Sequence, residues 1–119
     1  FMNILIVTTD TAKWQTCLPV FQAAGTDVSF AASLEACKEA LRSNPPRLYI
    51  LDLGLKGKEL RAAFMELLMI NATAHSAVTT DMEENAFHDA MEGLGILTGL
   101  PPAPSQDDVR RLLDLLAKV

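Results

Sequence analysis

The sequence predicts an α/β domain with a doubly wound, five-stranded parallel sheet. Two short apolar runs rich in β-branched or other bulky residues, 4–7 and 48–51, are typical of strands buried on both faces. The segments that follow them carry apolar residues at the three-to-four-residue spacing of amphipathic helices. Strands and helices alternate along the whole chain, and this favours parallel strands with helices on both sides.

Five strands are predicted, at residues 3–7, 27–31, 48–51, 74–79 and 94–98. The second is expected at an edge of the sheet, because Val28 and Phe30 alternate with polar residues. The fourth has a composition less typical of strands, since it contains Ala74, His75 and Ser76.

The first helix is predicted to begin after Asp10 or Thr11, either of which can cap it. Its inner face is formed by Trp14, Cys17, Leu18 and Phe21. Pro19 lies within this segment and lacks a backbone N–H, so we expect a kink or local unwinding there.

Four more helices follow the remaining strands. Ser33 caps the second helix, and the run 44–46 (Asn-Pro-Pro) ends it. The third begins after a loop at 54–57, and the fourth covers 83–91. Ser105 opens the last helix with Asp108 three residues on, a pair typical of a capping box.

Length and composition indicate one domain, residues 2–119, in a chain of 119 residues of which half are hydrophobic. Met2 is the expected natural start, with Phe1 preceding it.

The net charge of -5 and the absence of any Lys/Arg block disfavour nucleic acid or an anionic membrane as a partner. No segment is long and apolar enough for a membrane span, and the expected location is the cytoplasm. Cys17 and Cys37 are expected to be buried apolar residues.

Polar residues follow the predicted strands where each strand ends. Asp10 comes shortly after the first strand, Asp52 directly after the third, and Thr79 and Thr80 at the end of the fourth. The carboxyl ends of parallel strands meet at one edge of a sheet, where ligands bind. The sequence therefore predicts a polar pocket with two carboxylates, several hydroxyls and almost no positive charge.

One segment of interest is Ile4-Leu5-Ile6-Val7, followed by a polar triplet, and a second is Leu51-Asp52-Leu53-Gly54-Leu55-Lys56-Gly57. Together these two segments resemble the receiver domain of two-component response regulators, which has a flavodoxin-like (βα)5 fold. The order of elements matches this CheY-like family over the whole chain. The resemblance implies that Asp52 corresponds to the phosphoryl acceptor, and Thr79 or Thr80 to the hydroxyl that contacts the bound phosphoryl group.

Three departures from the family concern charge and signalling. Thr8 and Thr9 stand where the family carries an acidic pair that holds a divalent cation. The family's lysine before a proline is missing, since the segment reads Thr98-Gly99-Leu100-Pro101 and no lysine occurs between residues 58 and 118. Ile96 takes the place of the aromatic residue expected on the fifth strand.

These departures predict weak or absent phosphorylation. Phosphoryl transfer depends on electrostatic stabilisation of the transferred oxygens, and losing one preorganised donor costs roughly 3 kcal/mol. Asp10 and Asp52 are expected to bind Mg²⁺ only weakly, and no other cofactor is expected. In an alternative interpretation, Asp52 is a structural residue at the end of a strand that caps the next loop.

The favoured function is that of an atypical receiver domain, without enzymatic activity, that works by binding a protein. That partner is expected to be a histidine kinase or a downstream signalling protein, and a homodimer is also open. In receiver relatives the fourth and fifth helices form a partner surface, which here places Arg110, Arg111 and Asp114 on a candidate partner face. Two alternatives remain: a response regulator phosphorylated at Asp52 by a histidine kinase, and a small-molecule binding module that uses the strand-end crevice.

Overall fold

The computed structural model describes residues 2–119 and contains one five-stranded parallel sheet flanked by helices. Phe1, expected to precede the natural start, lies outside the described residues. The strands are β1 (Met2–Thr8), β2 (Thr26–Ala31), β3 (Leu48–Asp52), β4 (His75–Thr79) and β5 (Thr98–Leu100). The α-helices are α1 (Leu18–Ala23), α2 (Leu34–Ser43), α3 (Gly57–Ile70), α4 (Glu84–Ala90) and α5 (Gln106–Ala117).

The strand order is β2-β1-β3-β4-β5, so the predicted doubly wound α/β fold is confirmed and β2 lies at an edge. In the parallel register Thr8 is paired with Asp52, and Leu51 is paired with Val78. The ends of β1, β3 and β4 therefore lie side by side. This register is what brings Thr8, Asp52 and Thr79 together.

Two apolar clusters hold the helices on opposite faces of the sheet. On one face β1 and β3 pack against α1 and α5, through residues such as Ile6, Phe21 and Leu112. On the other face the same strands pack against α2, α3 and α4, through residues such as Tyr49 and Phe64. Because both faces of β3 are covered, all five of its residues are buried, including Asp52.

The segment after β1 differs from the single helix that was predicted. Residues Thr11–Cys17 form a 3-10 helix, and α1 begins only at Leu18. Pro19 has no N–H to continue an α-helical ladder, and the N–H of Leu18 donates to the carbonyl of Gln15 in the tighter pattern. The irregularity predicted for this helix is present, but it lies before Pro19, which is itself in the first turn of α1. Asp10, one of the two predicted caps, makes no side-chain capping bond.

The fifth strand is shorter and later than predicted. Residues 94–97 were expected to belong to it, but β5 covers only Thr98–Leu100. Gly93 and Gly95, on either side of Leu94, have φ values of 87° and 68°, which no extended strand allows. Ile96 therefore precedes the strand instead of lying on it, and the family's aromatic position is not matched there.

Other local predictions are confirmed. The hydroxyl of Ser33 accepts a hydrogen bond from the N–H of Ala36, and Ser105 forms a capping box with Asp108. Cys17 and Cys37 are buried free thiols. Among residues 2–119 no helix combines the length and apolar character needed to cross a bilayer.

Candidate functional site

The site is built around the carboxylate of Asp52 at the end of β3. Asp52 is 7 % exposed, and it directly follows the four buried apolar residues of β3, residues 48–51. Burial of a charged carboxylate is costly unless hydrogen bonds replace the lost water. The surroundings of Asp52 must therefore supply donors.

Four side chains donate hydrogen bonds to this carboxylate. Lys13 Nζ and Thr79 Oγ1 lie 2.7 Å and 2.6 Å from Oδ1. Thr8 Oγ1 and Trp14 Nε1 lie 2.7 Å and 2.9 Å from Oδ2. A carboxylate has about four lone-pair acceptor sites, so this set occupies all of them.

The donors also set the protonation behaviour of the site. Burial alone raises the pKa of Asp52, and the hydrogen bonds from Lys13, Thr79, Thr8 and Trp14 outweigh it, so the pKa lies below its ordinary value. Asp52 is consequently held as the anion at neutral pH. The ion pair with Lys13 joins two side chains of which only 26 % and 5 % is exposed.

Lys13 is the functional residue that sequence reasoning missed. It lies in the 3-10 helix after β1, and besides Asp52 it donates to the carbonyl oxygen of Pro102 at 2.7 Å. Pro102 follows β5, where the resemblance implies a lysine. The ammonium missing from that segment is thus supplied from the opposite side of β3. The available signal was that Lys13 directly precedes the inward-facing Trp14, in the segment that leaves the carboxyl end of β1.

The two candidate hydroxyl residues on β4 have different environments. Thr79 is buried and bonds Asp52 directly. Thr80 does not donate to Asp52; its Oγ1 accepts from the N–H of Met82 at 3.1 Å, and its own N–H donates to the carbonyl of Leu100 at 2.8 Å. Of the pair, Thr79 is therefore the residue that the structure brings to the candidate acceptor.

The site does not fit the divalent cation that the resemblance implies. Asp10 is exposed and lines the same cavity, but its N–H, not its carboxylate, is tied to the site through Thr8 Oγ1 at 3.0 Å. Each oxygen of the Asp52 carboxylate already accepts two hydrogen bonds, and Oδ1 is paired with the ammonium of Lys13. Within residues 2–119 no cluster of three or more His, Cys, Asp or Glu side chains is arranged to hold a metal.

Two cavities adjoin the site. One of about 390 Å³ lies over Asp52, between Asp10, Lys13 and Lys56. The second, of about 450 Å³, lies between α4, β5 and α5 and includes Phe87 and Arg111. Thr80, Asp81 and Pro102 line both cavities. The wall between the cavities therefore includes Pro102, whose carbonyl oxygen accepts the hydrogen bond from Lys13.

The predicted partner-face residues are divided between two surfaces of α5. Arg111 lines the cavity between α4, β5 and α5. Arg110 and Asp114 line a separate groove between α1 and α5. Arg110 is also engaged with Asp107 on its own helix, at 2.6 Å.

Several solved structures with a similar fold are of response regulators or of their receiver domains. The chemotaxis response regulator CheY4 of Vibrio cholerae is 14 % identical with a TM-score of 0.79, covering 98 % of this chain and 98 % of that one. A two-component response regulator from Clostridium difficile is 14 % identical with a TM-score of 0.78, covering 99 % and 97 %. The non-phosphorylated HemR receiver domain from Leptospira biflexa is 17 % identical with a TM-score of 0.77, covering 100 % and 96 %.

The same fold also occurs in a Sinorhizobium meliloti protein assigned to pilus assembly as CpaE2, at 12 % identity and a TM-score of 0.80 over 96 % of this chain and 98 % of that one. No protein-family model and no curated protein sequence matches the chain. The likeness is therefore one of three-dimensional structure. It shows that the chain has the flavodoxin-like receiver fold.

Proposed function

We propose that this chain is an atypical receiver domain that acts in signal transduction by binding a protein partner, with little or no phosphorylation at Asp52 and no enzymatic activity. The fold shared with response-regulator receiver domains supports the general role. The observation that carries the atypical part is the fourfold hydrogen bonding of the Asp52 carboxylate.

That hydrogen bonding opposes phosphorylation in two ways. An Asp52 oxygen attacks phosphorus through a lone pair, and each lone pair is already used by a donor, so at least one hydrogen bond must break first. The low pKa of Asp52 also makes its carboxylate a weaker base and a poorer nucleophile. The ammonium of Lys13 is already paired with Asp52, so it offers an incoming phosphoryl group less positive charge than a bound divalent metal would.

The partner surface that we propose is the cavity between α4, β5 and α5. Its floor is apolar, formed by Phe87 and Leu100, and its rim carries Glu84, His88 and Arg111. An apolar centre with a charged rim is typical of protein interfaces. A kinase or downstream signalling protein in the cytoplasm is the kind of partner that this fold favours.

Phosphorylation at Asp52 is the second candidate function, and Lys13 is the observation that favours it. Its ammonium and the Thr79 hydroxyl both reach Oδ1, so after a shift of either group they could contact the oxygens of a phosphoryl group. The small-molecule alternative has less support, because the polar groups at the floor of the crevice are bonded to one another.

Intact-mass measurement separates the first two candidates. The protein is incubated with acetyl phosphate and MgCl₂, beside Asp52→Asn as the matched control. We expect no phosphoryl mass gain in the wild type. A gain that Asp52→Asn abolishes would establish the second candidate instead.

The partner surface is tested by a pull-down experiment. The unphosphorylated domain is immobilised, and the proteins from the source cells that bind to it are identified. Arg111→Glu is compared with Arg42→Glu, which inverts an exposed arginine on α2, remote from the cavity. We expect Arg111→Glu alone to lose the specific partner. Equal retention by both variants would place the interface elsewhere.

A further inference from the structure

We propose that Lys13 is the resident cation of this site and that it latches the β5–α5 loop to Asp52. Its ammonium excludes a divalent metal from Oδ1, and its second hydrogen bond couples Asp52 to the cavity between α4, β5 and α5. This proposal rests on the proposed function and deepens it, since it names what controls the site.

The position of Lys13 supports the first part. Its Nζ atom is 2.7 Å from Asp52 Oδ1 and 2.7 Å from the carbonyl oxygen of Pro102. Two oxygen ligands on a cation at the carboxyl edge of the sheet are the kind of contact that a bound metal would make. A tethered ammonium at this place repels a divalent ion at close range and already neutralises Asp52.

The second part follows from the two partners of this one ammonium. Asp52 belongs to β3 and Pro102 to the loop after β5, and among residues 2–119 Lys13 is the side chain that bonds to both. Pro102 also lines the cavity next to Arg111. Loss of charge at Asp52 removes the anion that holds Lys13 in place, which loosens its hold on the loop. Because coupling is reciprocal, a partner that moves the loop must also disturb the ion pair.

The molecule carries its own reporters for both parts. Trp14 is the single tryptophan of the chain, and its indole N–H bonds Asp52 Oδ2. Its ¹H–¹⁵N resonance therefore senses any ion that reaches the carboxylate. The N–H of Ala103 belongs to the same peptide group as the Pro102 carbonyl, so its ¹⁵N shift senses the hydrogen bond from Lys13.

The first measurement is an NMR titration with MgCl₂, corrected by NaCl of equal ionic strength. The indole resonance of the wild type should not shift saturably. That of Lys13→Met, which keeps most of the stem and removes the charge, should shift saturably, with an apparent affinity for Mg²⁺ at least about tenfold above the upper limit set by the wild-type titration. A saturable shift in the wild type, or none in Lys13→Met, overturns metal exclusion by Lys13.

The second measurement is the Ala103 amide resonance in three variants without added metal. Lys13→Met and Asp52→Asn should both move it, whereas Lys56→Met should not. Lys56 is the control because it lines the same cavity and pairs with the exposed Asp81 at 3.1 Å. If Asp52→Asn leaves the Ala103 resonance unchanged, the latch is not coupled to Asp52 and the proposal fails.

If Lys13→Met does not fold, an NMR measurement on the wild-type protein still tests the proposal. Its Lys13 ammonium should give a slowly exchanging ¹⁵N resonance with nuclear Overhauser contacts to Ala103, and absence of that signal contradicts the latch.

The outcomes of these measurements are separable from those of the acetyl phosphate experiment. A phosphoryl gain contradicts the proposed function, while a magnesium response of the wild-type indole contradicts only the role of Lys13.

Discussion

The indole N–H of Trp14 donates a hydrogen bond of 2.9 Å to Oδ2 of Asp52, although the tryptophan side chain is otherwise embedded in the apolar layer under α5. Trp14 thus joins the hydrophobic core to the polar site, with no exposed surface of its own. One side chain therefore packs the 3-10 helix against the core and helps to orient the carboxylate, together with Thr8, Lys13 and Thr79.

Trp14→Phe tests this link, because it retains much of the apolar ring and removes the donor. Hydrogen bonds to charged groups contribute about 1.5–3 kcal/mol, and the smaller ring also leaves unfilled volume. We expect the free energy of unfolding to fall by at least about 1.5 kcal/mol. Urea denaturation followed by circular dichroism measures it, and an unchanged midpoint would contradict the role of the indole.

The stability of the domain should depend on pH through Asp52. Its folded-state pKa lies below the ordinary value of 3.8, so the stabilisation is complete above that value and is lost as the pH falls through the folded-state pKa. Urea denaturation of the wild type and Asp52→Asn over this acidic range should converge as the pH falls. Glu83→Gln is the control, because Glu83 also has a lowered pKa, from backbone hydrogen bonds at the start of α4, but is exposed. Glu83→Gln should keep most of the wild-type pH dependence, and Asp52→Asn should not.

Lys13 and Asp52 should be energetically coupled. A double-mutant cycle of Lys13→Met and Asp52→Asn isolates their interaction from the separate effects of each change. Because both side chains are largely buried, we expect a coupling free energy of about 0.5–3 kcal/mol. Lys38 and Glu35 form the comparison pair at 3.2 Å, with an exposed carboxylate, and should show a smaller coupling. Equal coupling free energies for the two pairs would show that the Lys13–Asp52 pair is no stronger than an exposed ion pair.

Gly99 in β5 lies where a side chain would be crowded by its neighbours. A Cβ atom there would lie 3.0 Å from Cγ2 of Thr80 and 3.5 Å from the ring of Phe87. We expect Gly99→Ala to lower stability by about 1–3 kcal/mol through crowding. Thr80→Ser removes the methyl group and keeps the hydroxyl that accepts from Met82, so the double variant should recover much of the loss. Thermal unfolding of the two single variants and the double variant measures this, and strictly additive losses would show that the contact is not the cause.

The sequence was sufficient for most of the fold, because apolar runs and helical spacing reflect burial that the fold imposes. β5 was misplaced because Leu94 looks like a strand residue, whereas the backbone conformation of Gly93 and Gly95 excludes a strand. Asp52 and Thr79 were identified from their positions at strand ends, and the register confirms that they lie close together.

Lys13 could not be found by the same route. The family pattern places the lysine after the fifth strand, and a lysine with a long flexible stem can reach the same point from a different loop. Only the three-dimensional neighbourhood shows that the loop after β1 faces the loop after β5. The dual role of Trp14 was hidden for a related reason, since its spacing on the inner face of a helix gives no indication of where its polar atom lies.

The small size of β5 has a consequence for how this protein behaves at high concentration. A strand of three residues at the border of the sheet exposes few backbone groups with which another chain could pair. Long flat borders are the places where sheets from different molecules join and grow into fibrils. At β5 the sheet offers too few unpaired backbone groups for a strand of another molecule to bind. Self-association by strand addition is therefore disfavoured on that side, even though the inner strands of the sheet are strongly apolar.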